Sequence, residues 1–109
     1  MRIAYAIAAT AAATSAMAGD EMASFNYQCD RGVNVAATYI NVGDFSGAVL
    51  QADGRQIAAV IAQSASGARY VSAGEGRKYV WWTKGPEATL YWQEGTEGET
   101  PLLTCVEEK

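Results

Sequence analysis

A chain of 109 residues holds one small domain, and its 10% of aromatic residues can fill one small core. Histidine is absent, which removes the commonest general base and the commonest metal ligand. The formal net charge is −4 with the acidic residues spread out, which argues against nucleic acid and anionic membrane surfaces and suits a basic partner.

The chain opens with Met1-Arg2, a positive start, and continues from Ile3 to Ala13 in an almost wholly apolar, alanine-rich run. Ala16-Met17-Ala18 is an A-x-A cleavage signal before polar Gly19-Asp20-Glu21. This is the pattern of a secretory signal peptide over residues 1–18, with a single domain over residues 19–109. Removing Arg2 leaves seven cations against twelve anions, a charge of −5. No cysteine stands at the cleavage point for lipid attachment, so a soluble periplasmic protein without a membrane anchor is expected.

Beyond the leader the hydrophobic pattern has a period of two, the signature of strands. Met22–Gln28 is the first, with Phe25 and Tyr27 on one side. After the turn Asp30-Arg31-Gly32, the run 33–40 alternates Val33, Val35, Ala37 and Tyr39 against Asn34, Ala36, Thr38 and Ile40. A third strand covers 46–52, and Asp53-Gly54 is a two-residue hairpin signal leading into a fourth over 56–62. Ser64-Ala65-Ser66-Gly67 is a small-residue loop, because serine and glycine at this density disfavour a ladder. A fifth strand over 68–72 and a sixth over 78–83 flank the glycine-rich tip 73–77. Gly85-Pro86 turns the chain into a seventh strand over 87–93, and the last, over 101–106, carries Cys105.

Eight short strands with regular turns and no convincing helix read as an all-β antiparallel barrel or sandwich. A short chain favours the closed eight-stranded barrel, which leaves no open edges. Cys29 and Cys105 lie near the two ends, and in an oxidising compartment they pair as one disulfide that ties the first strand to the last.

Enzymatic chemistry has little to work with. There is no histidine-based triad, no G-x-S-x-G and no Cys/His cluster, so neither a metal nor a cofactor is expected. A catalytic Ser66–Lys84 pair would need a buried lysine and an oxyanion hole, whereas a lysine beside the Gly85-Pro86 turn is expected to be solvated. Trp81 and Trp82 are neighbours on a strand and cannot both point inward. Trp82 shares its face with Lys84, a suitable edge for a protein interface, and one that permits a homodimer without requiring it.

Ser64-Ala65-Ser66-Gly67-Ala68-Arg69-Tyr70, taken with Tyr79-Val80-Trp81-Trp82-Thr83-Lys84-Gly85-Pro86-Glu87-Ala88, resembles the C-type lysozyme inhibitor family, the MliC/PliC proteins. Tyr27-Gln28-Cys29, the V-x-V of Val33 and Val35 and the closing cysteine extend the resemblance over nearly all of the mature chain. It implies an eight-stranded barrel that inhibits animal lysozymes by inserting the S-x-S-G loop into the catalytic cleft. By the same resemblance Ser66 and Lys84 meet the enzyme's catalytic carboxylates, Ser64, Gly67 and Gly85 shape the loop and turn, and Tyr70 braces the loop. Ser66 and Lys84 are 18 positions apart, a few more than in typical members, and the extra residues fall in the tip 73–77. Two other readings fit a small barrel: a carrier for a small apolar ligand, or an envelope structural module with no enzyme partner.

Overall fold

The computed structural model describes residues 20–74 and 76–109. The expected signal peptide lies outside the described residues. Eight strands follow one another: β1 (Glu21–Cys29), β2 (Asn34–Val42), β3 (Phe45–Ala52), β4 (Arg55–Ala62), β5 (Ala68–Ser72), β6 (Arg77–Lys84), β7 (Glu87–Glu94) and β8 (Glu99–Glu107). Each pairs antiparallel with the next, and β1 pairs with β8, closing a meander barrel. Closure gives every strand a partner on both sides, which protects so short a sheet from open edges.

The period-two pattern becomes the inside of this barrel. Val35 and Ala37 of β2, Ala48, Leu50 and Ala52 of β3, Ile57 and Ala59 of β4, and Ala88 and Leu90 of β7 are all buried. An eight-stranded barrel is just wide enough for side chains to fill. Here the many alanines leave room for Trp81, Tyr27 and Tyr70 in the same cluster. Tyr27 meets Trp81 edge-on with ring centroids 5.1 Å apart.

Three details depart from simple alternation. Val80 is on the opposite face of β6 from Trp81, yet it is fully buried outside the interior cluster, between its cross-strand neighbours Val71 and Tyr91. The β7–β8 register shifts between Leu90 and Tyr91, so β8 begins at Glu99 and runs through Pro101, which has no N–H to donate to the ladder. Asp30–Gly32 is a 3-10 turn with Arg31 at φ 59°.

Cys29 and Cys105 are direct register partners and form the disulfide, at the seam where β1 meets β8. Only Tyr27, Gln28 and Cys29 of β1 pair with β8. The covalent link therefore reinforces the shortest stretch of closure.

Candidate functional site

The antiparallel pairing of β5 with β6 positions the site. Ala68 pairs with Thr83, and Arg69 with Trp82. The loop that precedes β5 therefore emerges at the same end of the barrel as the Lys84-Gly85-Pro86 turn that follows β6. The tip 73–77 joins the other ends of these two strands, so its extra length does not separate Ser66 from Lys84.

The loop is held through its backbone. Ser64 Oγ donates to the Ser66 carbonyl at 2.5 Å, and Trp82 Nε1 donates to the same carbonyl at 2.9 Å. Gly67 follows at φ 65°, a left-handed conformation, and a Cβ there would lie 2.2 Å from the Thr83 carbonyl oxygen. No other residue type allows so close an approach of loop to strand. Two donors and one glycine thus fix the main chain, while Ser64, Ala65, Ser66 and Gly67 remain exposed. Among the described residues the Ser66 hydroxyl makes no hydrogen bond.

Lys84 ends β6, and Gly85 turns the chain at φ 60°. The ammonium sits 5.9 Å from the centroid of the Trp82 ring. An exposed cation–π contact of this kind is weak, about 0.5–1 kcal/mol, but it biases where the side chain points. Lys84 is exposed and, among the described residues, makes no ion pair. Trp82 is half-buried and touches both parts of the site, donating to the loop while its ring lies under the lysine.

Tyr70 is placed differently. It is 8% exposed and points into the barrel, with its ring 5.6 Å from that of Tyr39. The Tyr39 hydroxyl accepts from Trp81 Nε1 at 2.9 Å and shares a 2.7 Å hydrogen bond with the Tyr27 hydroxyl. Burial raises the pKa of all three phenols; Tyr27 is held back in part by its bond to Tyr39, and Tyr70 is raised further by Tyr39. Beside Tyr70, Arg69 reaches Glu99 with two hydrogen bonds, 2.6 and 3.3 Å, and this contact raises the Arg69 pKa.

An open mouth of about 400 Å³ lies at this end of the barrel, with the three tyrosines and Gly85 in its lining. Its walls include Glu21, Phe25, Tyr39, Tyr70, Thr83 and Glu107. The two carboxylates come from opposite ends of the described chain and line one mouth only because the barrel closes, which is why no local pattern shows them. Trp82 is the other central residue outside the S-x-S-G and lysine motif. The face it shares with Lys84 is its sequence signal.

Comparison with known proteins gives concordant matches. The family model described as membrane-bound lysozyme-inhibitor of c-type lysozyme matches residues 27–98, a span that contains the loop, Trp82 and Lys84. A membrane-bound lysozyme inhibitor of C-type lysozyme from Cupriavidus necator is 39% identical over 89 residues, 82% of this chain and 68% of the relative. The protein of the same name from Pseudomonas aeruginosa is 42% identical over 75 residues, 66% of this chain and 56% of the relative, so the chain spans little more than half of that protein. Among solved structures, Pseudomonas aeruginosa MliC in complex with hen egg white lysozyme aligns with a TM-score of 0.63 and 32% identity, over 99% of this chain and 98% of the other. PliC, the periplasmic inhibitor of C-type lysozyme from Salmonella typhimurium, aligns with a TM-score of 0.67 and 25% identity, over 82% of this chain and all of the other.

Proposed function

The chain belongs to the family of membrane-bound lysozyme-inhibitor of c-type lysozyme, and on that premise we propose that it inhibits C-type lysozymes in the periplasm by inserting the Ser64–Gly67 loop and Lys84 into the catalytic cleft. One observation carries the proposal. Trp82 bonds the Ser66 carbonyl and underlies the Lys84 ammonium, so a hydroxyl and a cation are presented together from one rigid strand pair.

A lysozyme cleft is built for that pair. Its chemistry needs two carboxyl groups, one kept protonated and one ionised. The Lys84 ammonium pairs with the ionised carboxylate in a charge-assisted hydrogen bond. The Ser66 hydroxyl can donate to a carboxylate or accept from a carboxylic acid. Gly67 keeps bulk away from the loop's approach, and Tyr70 braces the strand from inside. Little loop freedom remains to be lost on binding, because the main chain of the loop is already held by two hydrogen bonds. Inhibition is occlusion of the substrate groove with no covalent step.

Long-range charge works in the same direction. An acidic inhibitor and a basic enzyme attract, so association is fastest at low salt and slows as salt screens the charges. The direct experiment is a cell-wall lysis assay with hen egg white lysozyme and the purified protein. One-to-one inhibition that a chito-oligosaccharide competes away supports the proposal. Undiminished lysis in excess protein overturns it.

A further inference from the structure

We infer that the barrel mouth opposite the Ser64–Gly67 loop is a binding site for a small amphipathic anion, a carboxylate carried on a short acyl chain or a single ring. This inference does not rest on the inhibitory reading. It stands on a cavity at that end and on the arginines that line it.

β5 has five residues, while its neighbours β4 and β6 have eight each. Its pairing with β4 ends at Ser72 opposite Ala59, and its pairing with β6 ends at Val71 opposite Val80. Arg55–Ala58 of β4 and Arg77–Tyr79 of β6 therefore have no β5 partner, and the ladder is interrupted between them. The Ser72 hydroxyl accepts the Tyr79 N–H at 2.9 Å and so caps one backbone donor at the edge of this gap. At this end of the barrel lies a cavity of about 250 Å³ with Val33, Ile57, Tyr79, Leu90 and Leu103 among its walls. An apolar cavity of about 150 Å³ already takes a benzene-sized molecule, so this one has room for a ring with a substituent or for a short chain.

Its rim carries two guanidinium groups. Arg31 and Arg55 both line it, with Asp53 as the one acidic residue in the lining. Arg31 adopts φ 59°, a conformation uncommon for a side chain of its size, and its Nη2 donates to the Leu102 carbonyl at 2.9 Å across the seam. That hydrogen bond holds the Arg31 guanidinium beside Leu102, another residue of the lining. The nearby Asp30 is 3.6 Å from Arg31 and also accepts the Thr104 N–H. Arg55 is exposed and, among the described residues, has no ion-pair partner. A carboxylate at the rim would pair with Arg55, whose planar donors suit it, while the apolar part would cover the half-buried side chains of Val33, Tyr79 and Leu102.

The test is an NMR titration of the isotope-labelled protein with octanoate, benzoate and octanol, read at the methyl groups of Val33, Ile57, Leu90 and Leu103. Saturable shifts at these methyls with octanoate or benzoate are expected, with octanol binding about tenfold more weakly because it has no charge to offer the arginines. Arg55→Gln, a change at an exposed side chain, is expected to weaken octanoate binding about fivefold and to leave lysozyme inhibition unchanged. The inference is overturned by any of three results: no saturable shift at these methyls, shifts centred on Tyr39 and Tyr70 at the other mouth, or octanoate binding that neither Arg55→Gln nor replacement by octanol weakens. Failure of lysozyme inhibition in the unaltered protein would leave the inference standing, since the two sites lie at opposite ends of the barrel.

Discussion

The indole N–H of Trp82 donates to the carbonyl of Ser66 at 2.9 Å, joining residues 16 positions apart. The bond holds the main chain of the loop and leaves the serine hydroxyl exposed. Trp82→Phe removes the donor and keeps a ring beneath Lys84. One lost hydrogen bond of this kind costs about 1 kcal/mol, or about fivefold in binding. The inhibition constant should rise by that factor with only a small loss in the urea midpoint. A variant that inhibits as well as the parent would show that the bond does not preorganise the loop.

Gly67→Ala is the more severe change. Its Cβ would lie 2.2 Å from the Thr83 carbonyl oxygen, and the residue would keep φ 65°. Backbone oxygen cannot move aside as a side chain would, so the loop must shift. A cost of about 1–3 kcal/mol follows from the forced conformation alone. Thermal melting should fall, and inhibition should fall further than stability because the displaced segment is the one proposed to enter the cleft.

The Cys29–Cys105 disulfide closes a separation of 76 residues. The loop-entropy model assigns such a closure about 4.5 kcal/mol, a large share of the roughly 5–15 kcal/mol typical of a folded domain. Replacing both cysteines by serine, or reducing the protein, should lower the guanidinium midpoint strongly. A drop of less than about 1 kcal/mol would mean that the β1–β8 pairing closes the barrel unaided.

The buried phenols fix the alkaline limit of stability. Tyr27, Tyr39 and Tyr70 have raised pKa values, with burial as the largest cause in each. In the unfolded chain a tyrosine ionises at about pH 10. The folded state therefore holds protons that the unfolded state releases, so this stabilisation is complete below about pH 10 and declines as pH rises above it. Phenolate absorbance should show these tyrosines ionising late and together with unfolding. Ionisation at about pH 10 in a still-folded protein would place them in contact with water.

Much of this architecture was legible in the sequence. Alternation in 33–40 put Val35 and Ala37 on one face, and both are fully buried. Asp53-Gly54 marked the hairpin between β3 and β4, and the two cysteines marked the seam. The resemblance named Ser66 and Lys84, but only the Ala68–Thr83 register shows that they share one end of the barrel despite the longer tip. Strand periodicity says which way a side chain points, not which strand end it reaches. The same limit hid Glu21 and Glu107, which share a mouth through closure alone. Alternation also does not account for Val80, buried on the outer face by its neighbours in the sheet rather than by the core. The Leu90–Tyr91 register shift depends on long-range pairing and left no local mark.

The most direct measurement compares Ser66→Ala/Lys84→Ala with the parent protein in hen egg white lysozyme inhibition, with circular dichroism and melting as controls for the fold. Both positions are exposed, so the barrel should remain intact. Losing one partner of a buried charged contact costs about 2–5 kcal/mol, so the inhibition constant should rise by about tenfold or more. An unchanged inhibition constant in a folded double variant would contradict the insertion of this loop and lysine into the cleft.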